Sequence, residues 1–268
     1  MTSRYTRFAG VGMAALVALC FLFPSGNGIV PESIAWADVQ EALGEIQSMR
    51  FGGTRNCYFG DDETPRYKLP VEKLLSATYG YADRTYTEDG TLIIEFTFHM
   101  PSGTATVVFP TIKKYYRIRI PAEAREMAGT VTAERFFHTI WASGDYRQTE
   151  PKQVEGIEAV GFEVTDVHQR LLRGMGVDSK IADFFIKLRS CTACMWVDPK
   201  RRLPIRVDAE AEFAPCVVTG FREMRLQEVN EGFEFNVDLD EAKFKLEIPA
   251  DYEQLGIPGT APSQTETP

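Results

Sequence analysis

The chain has 268 residues, 44% of them hydrophobic and 25% charged, which supports an ordinary buried core and excludes collagen-like and wholly disordered classes. Lys and Arg total 29 and Asp and Glu total 38, a formal net charge of -9. That acidic balance argues against a nucleic-acid partner, because phosphate binding needs clustered positive charge.

Arg4 and Arg7 precede an uncharged run from Phe8 to Phe23, followed by Pro24-Ser25-Gly26-Asn27-Gly28. A basic flank, an apolar stretch and a small-residue exit are what an export signal needs. The run is a little short for the hydrocarbon core. Ala35-Trp36-Ala37 has the small-x-small pattern of a cleavage site after Ala37, but it lies far beyond Phe23, and Trp36 suits a membrane interface. The sequence therefore favours a retained single-pass anchor, with Arg4 and Arg7 inside and the remainder in the periplasm. The expected division is 1–37 for stub, anchor segment and linker, 38–254 for one domain, and 255–268 for a loose tail rich in Pro, Thr and Ser.

Asp38 with Glu41 predicts a capping-box start for a helix carrying Val39, Ala42, Leu43, Ile46 and Met49. From Arg50 the period becomes two. Leu92, Ile94, Phe96, Phe98 and Met100 alternate with Ile93, Glu95, Thr97 and His99, between turns at Asp89-Gly90 and Pro101-Ser102-Gly103. Thr104–Phe109 and Tyr115–Ile120 continue the meander. Thr132 is a candidate N-cap for a helix with Phe136, Phe137, Ile140 and Trp141, and Asp178 for one with Ile181, Phe184, Phe185 and Leu188. Strands are expected around Val160–Val164, Leu203–Phe213 and Phe233–Leu239. Clean alternation means sheets with one greasy and one wet face, hence antiparallel. The expected class is α+β: a curved antiparallel half-barrel covered by a few helices, with an N-terminal hydrophobic export or anchor helix.

Catalytic constellations are scarce. His99, His138 and His168 are scattered outside any H-E-x-x-H pair, and no G-x-S-x-G elbow exists. His99 falls on a polar strand face and is expected to be solvated. His138 is expected to be half-buried and structural. Asp61-Asp62-Glu63 and Asp238-Leu239-Asp240-Glu241 are read as exposed acidic turns rather than calcium sites. No metal or cofactor is expected. Cys57, Cys191, Cys194 and Cys216 are candidates for disulfides in an oxidising compartment, or for buried free thiols. Cys191-Thr192-Ala193-Cys194 has redox spacing, but leads from a helix into a strand, the wrong polarity for an activated thiolate.

The order of elements resembles the LolA/LolB-type lipoprotein-carrier fold. The resemblance rests on the helix beginning Ala37-Asp38-Val39 and on Glu155-Gly156-Ile157-Glu158-Ala159-Val160-Gly161-Phe162. It continues through Trp196-Val197-Asp198-Pro199 with Leu203-Pro204-Ile205-Arg206-Val207, then Phe233-Glu234-Phe235-Asn236, Phe244, Leu246, Pro249 and Tyr252. It spans about Asp38 to Tyr252 and is strongest after Glu155. It is similar to membrane-anchored, LolA-like bacterial proteins of unknown role. The resemblance implies a non-enzymatic binding domain for lipid, lipoprotein or another apolar envelope ligand. Acyl chains would lie against Phe96 and Phe98 on one side and Ile205, Val207 and Phe235 on the other, under Phe184 and Phe185. The alternative is an anchored sensory or scaffold domain that binds a membrane protein partner in envelope signalling. The carrier's arginine contact to its lid has no evident counterpart in the sequence, so no site residue is carried over.

Overall fold

The computed structural model describes residues 34–119, 132–141, 146–165, 167, 188–214 and 223–255. They begin with helix α1 (Ile34–Gly44) and six strands: β1 (Ser48–Phe59), β2 (Tyr67–Ser76), β3 (Gly80–Tyr86), β4 (Leu92–His99), β5 (Thr104–Phe109) and β6 (Lys114–Arg119). Helix α2 (Ala133–Trp141) follows, then β7 (Tyr146–Gln148), β8 (Lys152–Val154), β9 (Ile157–Val164), β10 (Leu188–Asp198), β11 (Leu203–Phe213), β12 (Met224–Phe235) and β13 (Glu253–Gln254). The strands form one open, curved sheet in the order β13-β6-β5-β4-β3-β2-β1-β12-β11-β10-β9-β7, with β8 beside β9. Every pair is antiparallel except β13 on β6. Two meanders thus meet where β12 returns to lie against β1.

Alternation decides the faces. Phe51, Leu75, Tyr81, Phe96, Phe98, Phe162, Met195, Val207 and Leu226 point to one side and share a core with α1 and α2. On α1 the buried stripe is Trp36, Val39 and Leu43, at i, i+3 and i+7. This stripe corrects the expected helix start. Asp38 lies within α1 rather than capping it, Met49 belongs to β1, and Trp36 packs on Tyr146 and Phe162 with ring centroids 5.8 and 5.6 Å away. A tryptophan so placed is core, not interface. Thr132 does cap α2, its Oγ1 accepting from the Arg135 amide at 3.1 Å.

The outer face is drier than alternation predicts, because the segment after β12 folds over β2–β4. Val237 and Leu239 leave the strand phase and join Leu74, Ala82 and Phe244 in a second cluster. His99, expected in solvent, is buried there, with Nδ1 2.8 Å from Ser102 and Nε2 3.0 Å from Glu241. Arg84 binds Glu95, Glu72 and the Lys243 carbonyl on the same side. Phe233–Leu239 is therefore not one strand.

A bulge in β12 accounts for part of the mismatch. Arg50 faces Glu234 while Gly52 faces Glu231, so β12 holds one extra residue, with Gly232 at φ +65°. Before the bulge the even positions Leu226, Glu228 and Asn230 face the helices; after it the odd positions Phe233 and Phe235 do. Across this junction, a Cβ on Gly53 would stand 1.8 Å from the Val229 carbonyl oxygen, so only glycine fits there.

Candidate functional site

The helix-bearing face divides into a ring-lined part and a charged part. In the first, α2 lays Phe136 on Tyr81 and Phe51 (centroids 5.7 and 6.4 Å apart) and Phe137 near Phe233 at 6.4 Å. Phe51 stacks on Phe233 at 4.6 Å, Phe233 on Phe235 at 6.0 Å, and Tyr81 meets Phe96 at 6.0 Å. Trp141 is fully buried and donates from Nε1 to the Phe162 carbonyl at 2.8 Å. Gln40 Nε2 and His138 Nδ1, 2.9 Å apart, tie α1 to α2, and burial holds the imidazole of His138 below its ordinary value.

Phe96, Phe98, Val207 and Phe235 all lie on this face. Ile205 does not. A register shift in the β10–β11 pair, between Trp196 and Val197, leaves Ile205 unpaired, and it packs on the opposite face with Val154, Ala159 and Trp196. Phe184 and Phe185 lie outside the described residues, as do Cys216 and the run Phe8–Phe23. Leu188, expected to close the stripe of a helix, opens β10 instead.

The charged part was not anticipated. Arg55 on β1 stands directly opposite Glu228 on β12, with Nε 2.7 Å from Oε2. Lys73 on β2 stands opposite Asp83 on β3, with Nζ 2.8 Å from Oδ2. Two diagonal contacts close the square: Lys73 to Glu228 at 2.8 Å and Arg55 to Asp83 at 3.4 Å. Arg55 also donates to Thr85 Oγ1 at 2.8 Å, and Asn230 Nδ2 to Glu228 Oε1 at 3.0 Å. All four charged side chains are 5–7% exposed. Burial is the largest single influence on Arg55, Lys73 and Glu228 and opposes each charge. The neighbours of opposite sign together outweigh it, so both cations are raised and the Glu228 carboxyl is held far below the usual carboxylate range. Two positive and two negative charges leave the patch neutral. One polar atom is left over: the Asn230 side-chain oxygen is buried without a donor.

The sequence carried a signal for this patch, visible only when four strands are aligned. Arg55 shares phase with Phe51 and Cys57, Lys73 with Val71 and Leu75, Asp83 with Tyr81, and Glu228 with Leu226. Each is a polar residue standing where an apolar one is due.

The cysteines, open between disulfides and free thiols, take the second form among the described residues. Cys57, Cys191 and Cys194 are free thiols. Cys57 faces Leu226, Leu226 faces Ala211 and Ala211 faces Cys191, so three strand spacings, about 14 Å, separate those two thiols. Cys191 and Cys194 are three residues apart within β10, which sends them to opposite faces. Burial pushes Cys57 up to about 11 and Cys191 and Cys194 up to about 12, leaving all three protonated at neutral pH. Among the described residues no three His, Cys, Asp or Glu side chains converge to hold a metal ion. Asp62 pairs with Arg66, and Asp240 accepts from the Ala242 amide to cap a short turn. No described helix is long and apolar enough to cross a membrane.

No protein-family profile matches the sequence, and no curated protein matches it. Among solved structures the chain is similar to a LolA superfamily protein of Nitrosomonas europaea, at 9% identity and TM-score 0.34, over 81% of this chain and 99% of that one. It is also similar to a putative outer membrane lipoprotein-sorting protein domain of Vibrio parahaemolyticus, at 10% identity and TM-score 0.32, over 79% and 94%. A third likeness is to LprF of Mycobacterium bovis, at 9% identity and TM-score 0.33, over 84% and 100%. The likeness is to a LolA-like fold; at TM-scores this low it decides nothing about chemistry, which rests on the residues of this chain.

Proposed function

We propose that this chain is a non-enzymatic binding domain for a lipid, a lipoprotein or another apolar ligand, carried outside the cytoplasmic membrane on the N-terminal Phe8–Phe23 segment. The observation that carries the binding role is the way α2 is held. Its nine residues are too few to be stable as an isolated helix. Beside the hydrogen bonds of His138 with Gln40 and of Trp141 with the Phe162 carbonyl, it is fixed by apolar ring contacts to Phe51, Tyr81 and Phe233. Such contacts are non-directional, so an acyl chain can replace them at little cost. Phe136 and Phe137 then act as stand-ins for the ligand, and binding consists of exchanging them for it. The location outside the cytoplasm rests on the sequence of the first segment. Cys57 and Cys191, both buried, and the partly buried Cys194 are compatible with an oxidising compartment, since the sheet keeps them from pairing with one another.

Delipidated protein titrated with a fluorescent fatty acid should show saturable uptake that an unlabelled fatty acid displaces. A linear, non-displaceable signal would count decisively against this function.

A further inference from the structure

We infer that the charged square is a head-group seat selecting ligands whose polar end is uncharged and carries a hydroxyl donor. This rests on the proposed apolar-ligand role and adds to it the class of head group. Asn230 sits on the helix-bearing face at 6% exposure. Its amide nitrogen is committed to Glu228, while its oxygen, buried beside it, has no donor. A buried carbonyl oxygen left unpaired is costly, and the natural remedy is an O–H group.

The charges around Asn230 say what kind of molecule brings that group. Arg55 and Lys73 are each bound to both carboxylates, Glu228 and Asp83. The square is neutral and each of its charges is already paired, so an anionic head would have to break existing pairs, and a cationic head would find both carboxylates engaged. A neutral alcohol needs only the free acceptor. On the next strand Val207 stands opposite Asn230 and Ala209 opposite Glu228, and Ala209 is partly exposed although it packs on the same core. Ala209 thus places partly exposed surface opposite Glu228, at the rim of the patch. The rings begin just past the Gly232 bulge, so a molecule seated at Asn230 has an apolar surface for its tail one residue row away.

Three probes with the same oleoyl tail separate the possibilities: monoolein with free hydroxyls, methyl oleate with no donor, and oleate at pH 8 with a negative charge. Displacement of the fluorescent fatty acid from the full chain should rank monoolein ahead of methyl oleate by at least about tenfold, the effect of one buried hydrogen bond gained, with oleate weaker than monoolein. In Asn230→Leu the preference for monoolein should collapse toward unity while methyl oleate affinity is kept, which also reports that the variant is folded. Asn230→Ala gives the same readout in a smaller side chain, and the comparison in the unaltered chain needs no variant. Equal binding of monoolein and methyl oleate overturns the head-group seat and leaves the apolar-ligand role standing. A preference for oleate, or unchanged discrimination in folded Asn230→Leu, also overturns it. Uptake of none of the three probes sinks both.

Discussion

The two parts of the helix-bearing face are built from opposite kinds of contact. Under α2, rings meet rings at varied angles, from the near-parallel pair Phe51 and Phe233 at 16° to Phe136 against Phe137 at 85°. Beside it, four charged groups on β12, β1, β2 and β3 form two cross-strand pairs joined by diagonal contacts. Ring packing tolerates substitution that keeps volume, because dispersion and burial have no direction. A buried charge tolerates none, because its partner is left uncompensated in a medium that penalises it. The ring-lined part can therefore accept altered side chains, while the charged part holds the strands in place.

The largest expected effect comes from opening the square. Lys73→Met keeps the length of the side chain but leaves Asp83 and Glu228 to share Arg55 alone, one buried negative charge uncompensated, and should lower unfolding free energy by about 3–5 kcal/mol in urea titration. A loss below about 1 kcal/mol would show that the four groups do not depend on one another. Acid should act next. The Glu228 carboxyl is held low in the folded chain and takes its proton near 4.5 when unfolded. Its contribution is therefore complete above about pH 4.5 and is lost as pH falls below it toward the folded value. Urea midpoints measured at pH 7 and pH 3.5 should differ in that sense. His138 adds a smaller fall that begins near pH 6.5, because burial disfavours its charged form. The smallest effect belongs to the rings: Phe136→Leu should cost less than about 1.5 kcal/mol and leave fatty-acid uptake in place. A cost as large as that of Lys73→Met would erase the distinction between the two parts.

Local signals in the sequence located β4, β5, β6, β9 and β11. Asp198-Pro199, quoted for the resemblance, forms a turn, the Lys200 amide donating to Asp198 Oδ1 at 2.8 Å. The strands around Phe162 and from Leu203 to Phe213 also follow directly from period-two alternation. What alternation could not show was a change of phase. Gly232 flips the face of β12 midway, and the shift near Trp196 sends Ile205 away from Val207 although both are odd-numbered. The square was invisible for a different reason. Arg55 and Glu228 lie 173 positions apart, and each alone reads as a surface charge until the strand order brings them together. Trp36 and His99 were misplaced because their burial depends on distant segments, Tyr146 and Phe162 for one and Glu241 for the other.

The pairing of β1 with β12 also governs how the molecule is made. While the chain emerges from the ribosome, residues 48–59 can gather β2 as a neighbour at once, but their other edge stays bare until residues 224–235 have been synthesised. Over that interval the nascent first meander presents an unpaired strand bearing Arg55 without Glu228, a template for unwanted strand addition. The last long strand is the one that covers that edge.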